Sequence, residues 1–252
     1  MTDQPTTWAT VAEGVARISW LPGEPVDVVR REVAEALITH ARVEALVDPA
    51  DEGGQRTATW SGMRREGVMR GVTVDGTPVD RIVYARLATD VPTSEPEGFR
   101  ALLNSFLPRK RAIGQMLVRD REGRVLLCQL TYKQDWDLPG GVVEVGESPQ
   151  TAVEREVEEE LGLRISTGSL LLTDWLPPWS GWDDALCLVF DGGVHDASLT
   201  DRIVKQVREI RSAEFRTLEE ADQLCADFTA RRVRAAMANL GGGPAYTESG
   251  RG

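Results

Sequence analysis

Histidine, cysteine and basic charge are the scarce ingredients of this 252-residue chain, and each shortage narrows what it can be. There are two histidines, His40 and His195, and neither has a cysteine or carboxylate at metal-ligand spacing, so a histidine-based metal centre is not expected. The three cysteines, Cys128, Cys187 and Cys225, are scattered and odd in number. They give no zinc signature and no disulfide framework, and they fit a reducing, cytoplasmic setting. Lys and Arg total 29 against 40 Asp and Glu, for a formal net charge of −11. Nucleic acid and anionic membrane surfaces call for a basic face, so neither is an expected partner. A phosphorylated small molecule stays admissible, because bound divalent cations can invert the local charge. No apolar run approaches the roughly 20 residues of a membrane span. The first thirty residues lack the basic-then-apolar pattern of a secretory signal.

What is present suits one large or two ordinary soluble α/β domains. Ala88–Gly98, with two prolines and a glycine among Ser and Thr, reads as a boundary region, and the division is expected between about residues 95 and 110. Before it, apolar residues at Val28–Val29, Val33 and Ala36–Leu37 predict a helix. Arg42–Val47 predicts a strand, 52–61 a second helix, and Val68–Val74 and Arg81–Leu87 two strands about a turn at Asp75–Gly76. After it, strands are expected at Ala112–Val118, Val125–Leu130, Ser169–Trp175, Ala185–Phe190 and Glu209–Phe215. A mainly helical stretch is expected over 218–239, and a flexible tail over 241–252.

The chemistry concentrates in one helix, from about Pro149 to Leu161. Ser148 is a good N-cap, Pro149 suits the first helical position, and Gly162 stands where a left-handed C-terminal cap belongs. At 100° per residue, Val153, Val157 and Leu161 cover an arc of about 80° and form a core face. Glu156, Glu159 and Glu160 fill a neighbouring arc of about 100°, while Glu154 and Glu158 fall on the other flank. Taken alone, such a run reads as a solvated helix face. Yet like charges at i,i+4, as in Glu156 and Glu160, cost roughly 0.2–0.5 kcal/mol, and more when partly desolvated. A hard cation such as Mg²⁺ (or Mn²⁺) relieves that repulsion and bridges to phosphate. Arg155 can orient a carboxylate, either Glu159 or Glu147. The Gly140–Gly141 pair lets the backbone turn tightly beside a ligand.

Over Gly141–Leu163 the sequence resembles the Nudix box, G-x5-E-x7-R-E-U-x-E-E-x-G-U with U aliphatic. Gly141, Glu147, Arg155, Glu156, Val157, Glu159, Glu160, Gly162 and Leu163 occupy every specified position. At average residue usage a chance match is on the order of one in a million or rarer. The likeness extends loosely over about 110–240. It implies an α/β/α sandwich around a mixed sheet in a domain spanning about 108–240. It also implies Mg²⁺-dependent hydrolysis of a nucleoside diphosphate linked to another moiety, of nucleotide, ADP-ribose or nucleotide-sugar type. By position, Glu156, Glu159 and Glu160 are the implied metal ligands, Arg155 and Glu147 their orienters, and Gly141 a shaper of the loop. The general base stays open among Glu159, Glu160 and a later residue such as Glu209.

A nucleobase needs a flat apolar partner. Tyr132, Trp136, Trp175, Trp179 and Trp182 could supply it, with Trp136, Gly140, Gly141, Trp179 and Trp182 the expected substrate contacts. The loop Leu176–Asp184 is the expected substrate loop. Pro177 and Pro178 lie about where some ADP-ribose hydrolases of that family carry a proline. Residues 25–90 resemble the C-terminal half of a GNAT acetyltransferase, but Leu21–Val26 lacks that family's phosphate-cradling glycines, and the first half of the fold is missing or shortened. The N-terminal 1–100 is therefore expected to be a partial, non-catalytic α/β domain, serving in packing, homodimer formation or ligand gating. Two other readings stand beside hydrolysis: a nucleotide sensor that does not cleave, and an acetyltransferase with an accessory domain.

Overall fold

A computed structural model describes residues 6–252. The chain forms two compact units, the first ending at Pro108 and the second beginning at Arg109. The first contains strands β1 (Thr7–Ala12) and β2 (Val15–Ser19), helix α1 (Val26–Ala36), β3 (Arg42–Val47), α2 (Glu52–Trp60), β4 (Arg64–Val74), β5 (Thr77–Leu87) and α3 (Pro96–Phe106). Its sheet has the order β1-β2-β3-β5-β4, with β2 and β3 parallel and the other pairs antiparallel. Strict alternation along β3 buries Val43, Ala45 and Val47 against Val29 and Val33 of α1 and Ala58 of α2. The β1–β2 hairpin and α3 go beyond the sequence expectation. β1 is almost wholly exposed and so carries no apolar rhythm, and α3 begins at Pro96 inside the stretch expected to be a boundary.

The second unit contains β6 (Arg111–Asp120), β7 (Val125–Leu130), β8 (Trp136–Asp137), β9 (Gly140–Val142), α4 (Pro149–Leu161), β10 (Leu170–Leu176) and β11 (Ala185–His195). A 3₁₀ turn (Ala197–Arg202), β12 (Ile210–Arg216), α5 (Leu218–Leu224), α6 (Asp227–Ala238) and β13 (Ala245–Glu248) complete it. The sheet runs β12-β7-β6-β11-β10-β13, with β8 beside β7 and β9 beside β6. It is mixed, because β6–β11 and β10–β13 are parallel while the other pairs are antiparallel. Successive residues of its central strands point to opposite faces. Met116, Val118, Leu126 and Cys128 pack under Val153, Val157 and Leu161 of α4. Leu117, Val125, Leu127 and Val189 pack under Ala221, Ala230, Val233 and Ala236 of α5 and α6. The result is a helix–sheet–helix sandwich with a core on each side. Truncating a fully buried side chain such as Leu161 to Ala should cost about 2–5 kcal/mol.

Helix α4 is punctuated as its sequence predicts. The Ser148 hydroxyl accepts from Thr151 N at 3.1 Å, Pro149 opens the first turn, and Gly162 closes the helix at φ +66°. The stretch 218–239 is two helices, not one, because the chain is extended at Cys225 and Ala226. The tail also differs from expectation. Ala245–Glu248 adds a parallel strand to β10, pinned by the fully buried carboxylate of Asp174. That carboxylate accepts from Thr247 Oγ1 at 2.7 Å and Gly250 N at 2.8 Å. All three cysteines are buried free thiols. Among the described residues no helix is long and apolar enough to cross a membrane.

Candidate active site

The acidic flank of α4 faces the short strand β9, whose register with β6 sets Gly141 opposite Gly114 and Gly140 opposite Gln115. Glycine is required by the backbone at Gly140, while at Gly141 it leaves room for a side chain of α4. Gly140 has φ +135°, and a Cβ there would overlap the Gly114 carbonyl. A Cβ on Gly141 would come within 2.5 Å of the Glu156 carboxyl carbon. The bare backbone thus lets two carboxylates of α4 reach the loop.

Glu160 is the deepest of them, only 5% exposed, with its Oε2 accepting from Gly140 N at 3.0 Å. Burial pushes its pKa up to about 8, and the charges of Glu156, Glu209 and Asp137 add to the push, while the Gly140 N–H opposes it. Glu156 is raised as well, chiefly by burial, against the pull of Arg155. Arg155 organises the remainder. Its guanidinium grips Glu147 by Nε and Nη2 at 3.0 and 3.1 Å, and Nη1 reaches Glu156 and Glu159, each at 3.0 Å. The hydrogen bonds from Arg155 hold the Glu147 carboxyl below the usual range, with Glu144 N helping. Arg155 therefore orients both residues between which the sequence left a choice. Glu159, 58% exposed, stands at the solvent edge. The other flank serves structure: Glu154 accepts from Thr167, and Glu158 pairs with Arg164.

Among the described residues no three carboxylate, histidine or cysteine side chains converge closely enough to enclose a metal by themselves. Mg²⁺ usually takes one or two carboxylates and keeps waters and phosphate oxygens as its other ligands. The donor set fits a hard cation. Glu156, Glu209 and Asp137 all bear on Glu160, Glu159 and Glu209 bear on Glu156, and both carboxyl groups are raised, chiefly by burial.

Beside this flank lies a cavity of about 240 Å³. Gly140 and Gly141 form one edge, and Leu176, Pro177, Trp179, Trp182 and Phe228 supply apolar walls. The loop after β10 is a tight hairpin. Trp179 and Trp182 exchange backbone hydrogen bonds, with Ser180 at φ +49° and Gly181 at φ +86° between them. Trp179 meets the Phe228 ring edge-on at 5.5 Å, and the Arg111 guanidinium lies 5.0 Å over Trp182. Of the tryptophans expected at the substrate, Trp179 and Trp182 line the cavity, and Gly140 and Gly141 do so with them. Trp136 does not. It is a core residue, 7% exposed, with Arg216 stacked 5.2 Å above its ring. Tyr132 lines the cavity from an exposed position, while Trp175 donates to Asp184 at 3.1 Å.

The floor carries a polar chain that sequence reasoning missed. Asp174 accepts from Arg232 Nε at 2.8 Å, and Arg232 Nη1 donates to Gln115 Oε1 at 3.1 Å. Gln115 Nε2 donates to Asp137 at 2.8 Å, and Asp137 in turn accepts from Lys133 at 2.8 Å. The signal for Arg232 lay in α6, where it shares the buried face with Thr229, Ala230, Val233 and Ala236. A lone arginine within an apolar helix face marks a paired interior charge.

The family model described as the NUDIX domain matches residues 108–237. The MutT-like protein of Streptomyces ambofaciens is 41% identical over 59 residues, 23% of this chain and 38% of that protein. The nucleoside triphosphatase NudI of Escherichia coli O17:K52:H18 is 33% identical over 112 residues, 41% of this chain and 74% of that protein. The chain thus spans well under half of the first relative and about three quarters of the second. Among solved structures, the MutT protein of Methanosarcina mazei Go1 aligns at 22% identity with a TM-score of 0.46. That alignment covers 54% of this chain and 99% of the other.

Proposed function

Because the chain belongs to the Nudix family, as the domain match over residues 108–237 and the likeness to NudI establish, we propose that it hydrolyses a phosphoanhydride bond in a nucleoside diphosphate linked to another moiety, with Mg²⁺ as its metal. The observation that carries this reading is the adjacency of the two halves of the site. Gly140 and Gly141 line the cavity and also touch the carboxylates of Glu160 and Glu156. A nucleoside in the cavity would therefore lead its diphosphate onto the acidic flank of α4.

Glu156, Glu159 and Glu160 would hold the metal, with Mn²⁺ an acceptable substitute. A metal bound there supplies neutralisation of the diphosphate and a more acidic water. Arg155 and Glu147 keep the carboxylates at fixed positions, so no reorganisation is needed as charge develops. Proton removal from the attacking water falls to a carboxylate of this group: Glu159, Glu160 or Glu209. The aromatic walls offer stacking surface to the base, worth roughly 1–3 kcal/mol.

The deciding experiment compares wild type with Glu160→Gln in Mg²⁺-dependent release of phosphorylated products from a panel of dinucleotides, nucleotide sugars, ADP-ribose and oxidised nucleoside triphosphates. Loss of at least about 10²-fold in kcat with an unchanged fold is expected. Turnover undiminished in that variant removes the proposed site.

For the N-terminal unit we favour a structural role without acetyl transfer. Glu24 stands just ahead of α1, whose N-terminus begins at Pro25 without a side-chain cap, and an acidic residue there opposes a pyrophosphate. Acetyl-CoA titrated into the protein should give no calorimetric signal.

A further inference from the structure

Among the described residues, the buried side-chain polar atoms lining the cavity that have no hydrogen-bond partner are both on arginines. Arg232, 2% exposed, spends Nε on Asp174 and Nη1 on Gln115, and its buried Nη2 has no partner among the described residues. Arg111, also lining the cavity, spends Nη2 on the Asp183 carbonyl, and its buried Nε has none. An unmade hydrogen bond on a buried donor is unfavourable, and more so on a charged group. Two such donors in one cavity point to an acceptor delivered by a ligand.

The surroundings say what kind of acceptor. The charge of Arg232 is already matched by the buried carboxylate of Asp174, and Asp137 follows one link along the chain, itself matched by Lys133. At Arg232 itself a phosphate would add a second anion to a charge already matched. A neutral oxygen adds none. The walls are aromatic, and the Phe228 ring lies 5.9 Å from the guanidinium of Arg232. Both arginines with vacant donors line a cavity whose aromatic walls suit a flat ring. A flat, neutral ring bearing an exocyclic oxygen is a nucleobase with a ring carbonyl. Adenine has none: its exocyclic group is an amino group, which presents N–H to a donor where uracil and guanine present a carbonyl oxygen.

We propose that Arg232, assisted by Arg111, selects nucleotides whose base carries a ring carbonyl, of uracil or guanine type, over adenine nucleotides. This rests on the reading of the cavity as the nucleoside site, and it points away from ADP-ribose, which the position of Pro177–Pro178 had suggested.

The test uses the full chain and nucleoside monophosphates, which contain no anhydride to hydrolyse. Calorimetry with UMP, GMP and AMP should show at least one of UMP and GMP binding about tenfold or more tighter than AMP. Equal affinities, a preference for AMP, or no binding of any of the three overturns the proposal. Arg232→Lys keeps a cation for Asp174 and removes Nη2. In this variant, checked for folding by circular dichroism, the preference should fall severalfold or more with AMP affinity little changed, and a retained preference overturns the assignment to Arg232. If the variant does not fold, the wild-type ranking alone decides. Turnover of UDP-, GDP- and ADP-glucose with Mg²⁺ separates the two levels: hydrolysis without base preference removes only the base selection, whereas absence of hydrolysis counts against the hydrolase reading itself.

Discussion

Arg155 and Glu147, eight positions apart, meet in a two-pronged ion pair, Nε to Oε1 at 3.0 Å and Nη2 to Oε2 at 3.1 Å. The pair ties the loop before α4 to the helix and leaves Nη1 free to hold Glu156 and Glu159. Lysine has a single ammonium and cannot match this fork. Arg155→Lys should weaken Mg²⁺ binding or activity by about 10–100-fold, the range typical of residues that orient metal ligands. Glu147→Gln should act in the same direction. The double variant should be little worse than either single one, because the two act as a unit. Mg²⁺ titrations of the three variants check this, and losses that simply multiply would show that the two residues act separately.

Glu160 makes the metal-free protein sensitive to pH. Its folded pKa, about 8, lies above the ordinary carboxylate value, so the folded state holds its proton more tightly than the unfolded chain does. The sign follows: its contribution favours folding at acid pH and is lost as pH rises from the ordinary carboxylate range through about 8. Without metal, wild-type Tm should fall across that interval relative to Glu160→Gln, which has no proton to lose. Saturating Mg²⁺ should restore it. Parallel melting curves for the two proteins would expose the error in this account if their pH profiles coincided.

Gly140 and Gly141 should respond differently to alanine. At Gly140 both the positive φ and the Gly114 carbonyl oppose a side chain, so Gly140→Ala should lower stability by more than about 1 kcal/mol. At Gly141 the obstacle is the mobile end of Glu156. Gly141→Ala should fold nearly as well as wild type, yet lose Mg²⁺-dependent activity as that carboxylate is displaced. Urea unfolding and activity assays on both variants separate the two effects.

Asp174→Ala strands the buried Arg232 and frees the C-terminal strand. Breaking a buried pair in this way costs about 3–5 kcal/mol. Urea unfolding should show a loss of that order, and a change below about 1 kcal/mol would mean the pair is not the clasp described.

Local signals were the readable ones. Helix α4 announced its start at Ser148, its end at Gly162 and its core face at Val153, Val157 and Leu161, because caps and periodicity act within a few residues. The acidic flank was readable for the same reason. Strand β13 was not, because nothing in Ala245–Glu248 is apolar and periodic, and its order depends on Asp174, more than seventy positions earlier. The cavity floor stayed hidden likewise. Arg232 and Gln115 are 117 positions apart and meet only once the sheet has formed. Trp136 misled because an aromatic ring next to a functional loop serves a core as readily as a ligand.

The clasp of Asp174 has one more outcome. The same carboxylate that steadies Arg232 at the cavity floor also anchors Thr247 and Gly250. Residues 247 and 250 are thereby linked, through one carboxylate, to the arginine proposed to select the base. Trimming the final eight or so residues, or fusing a tag that tugs on them, should detune which nucleotide the protein prefers while leaving the acidic helix itself intact.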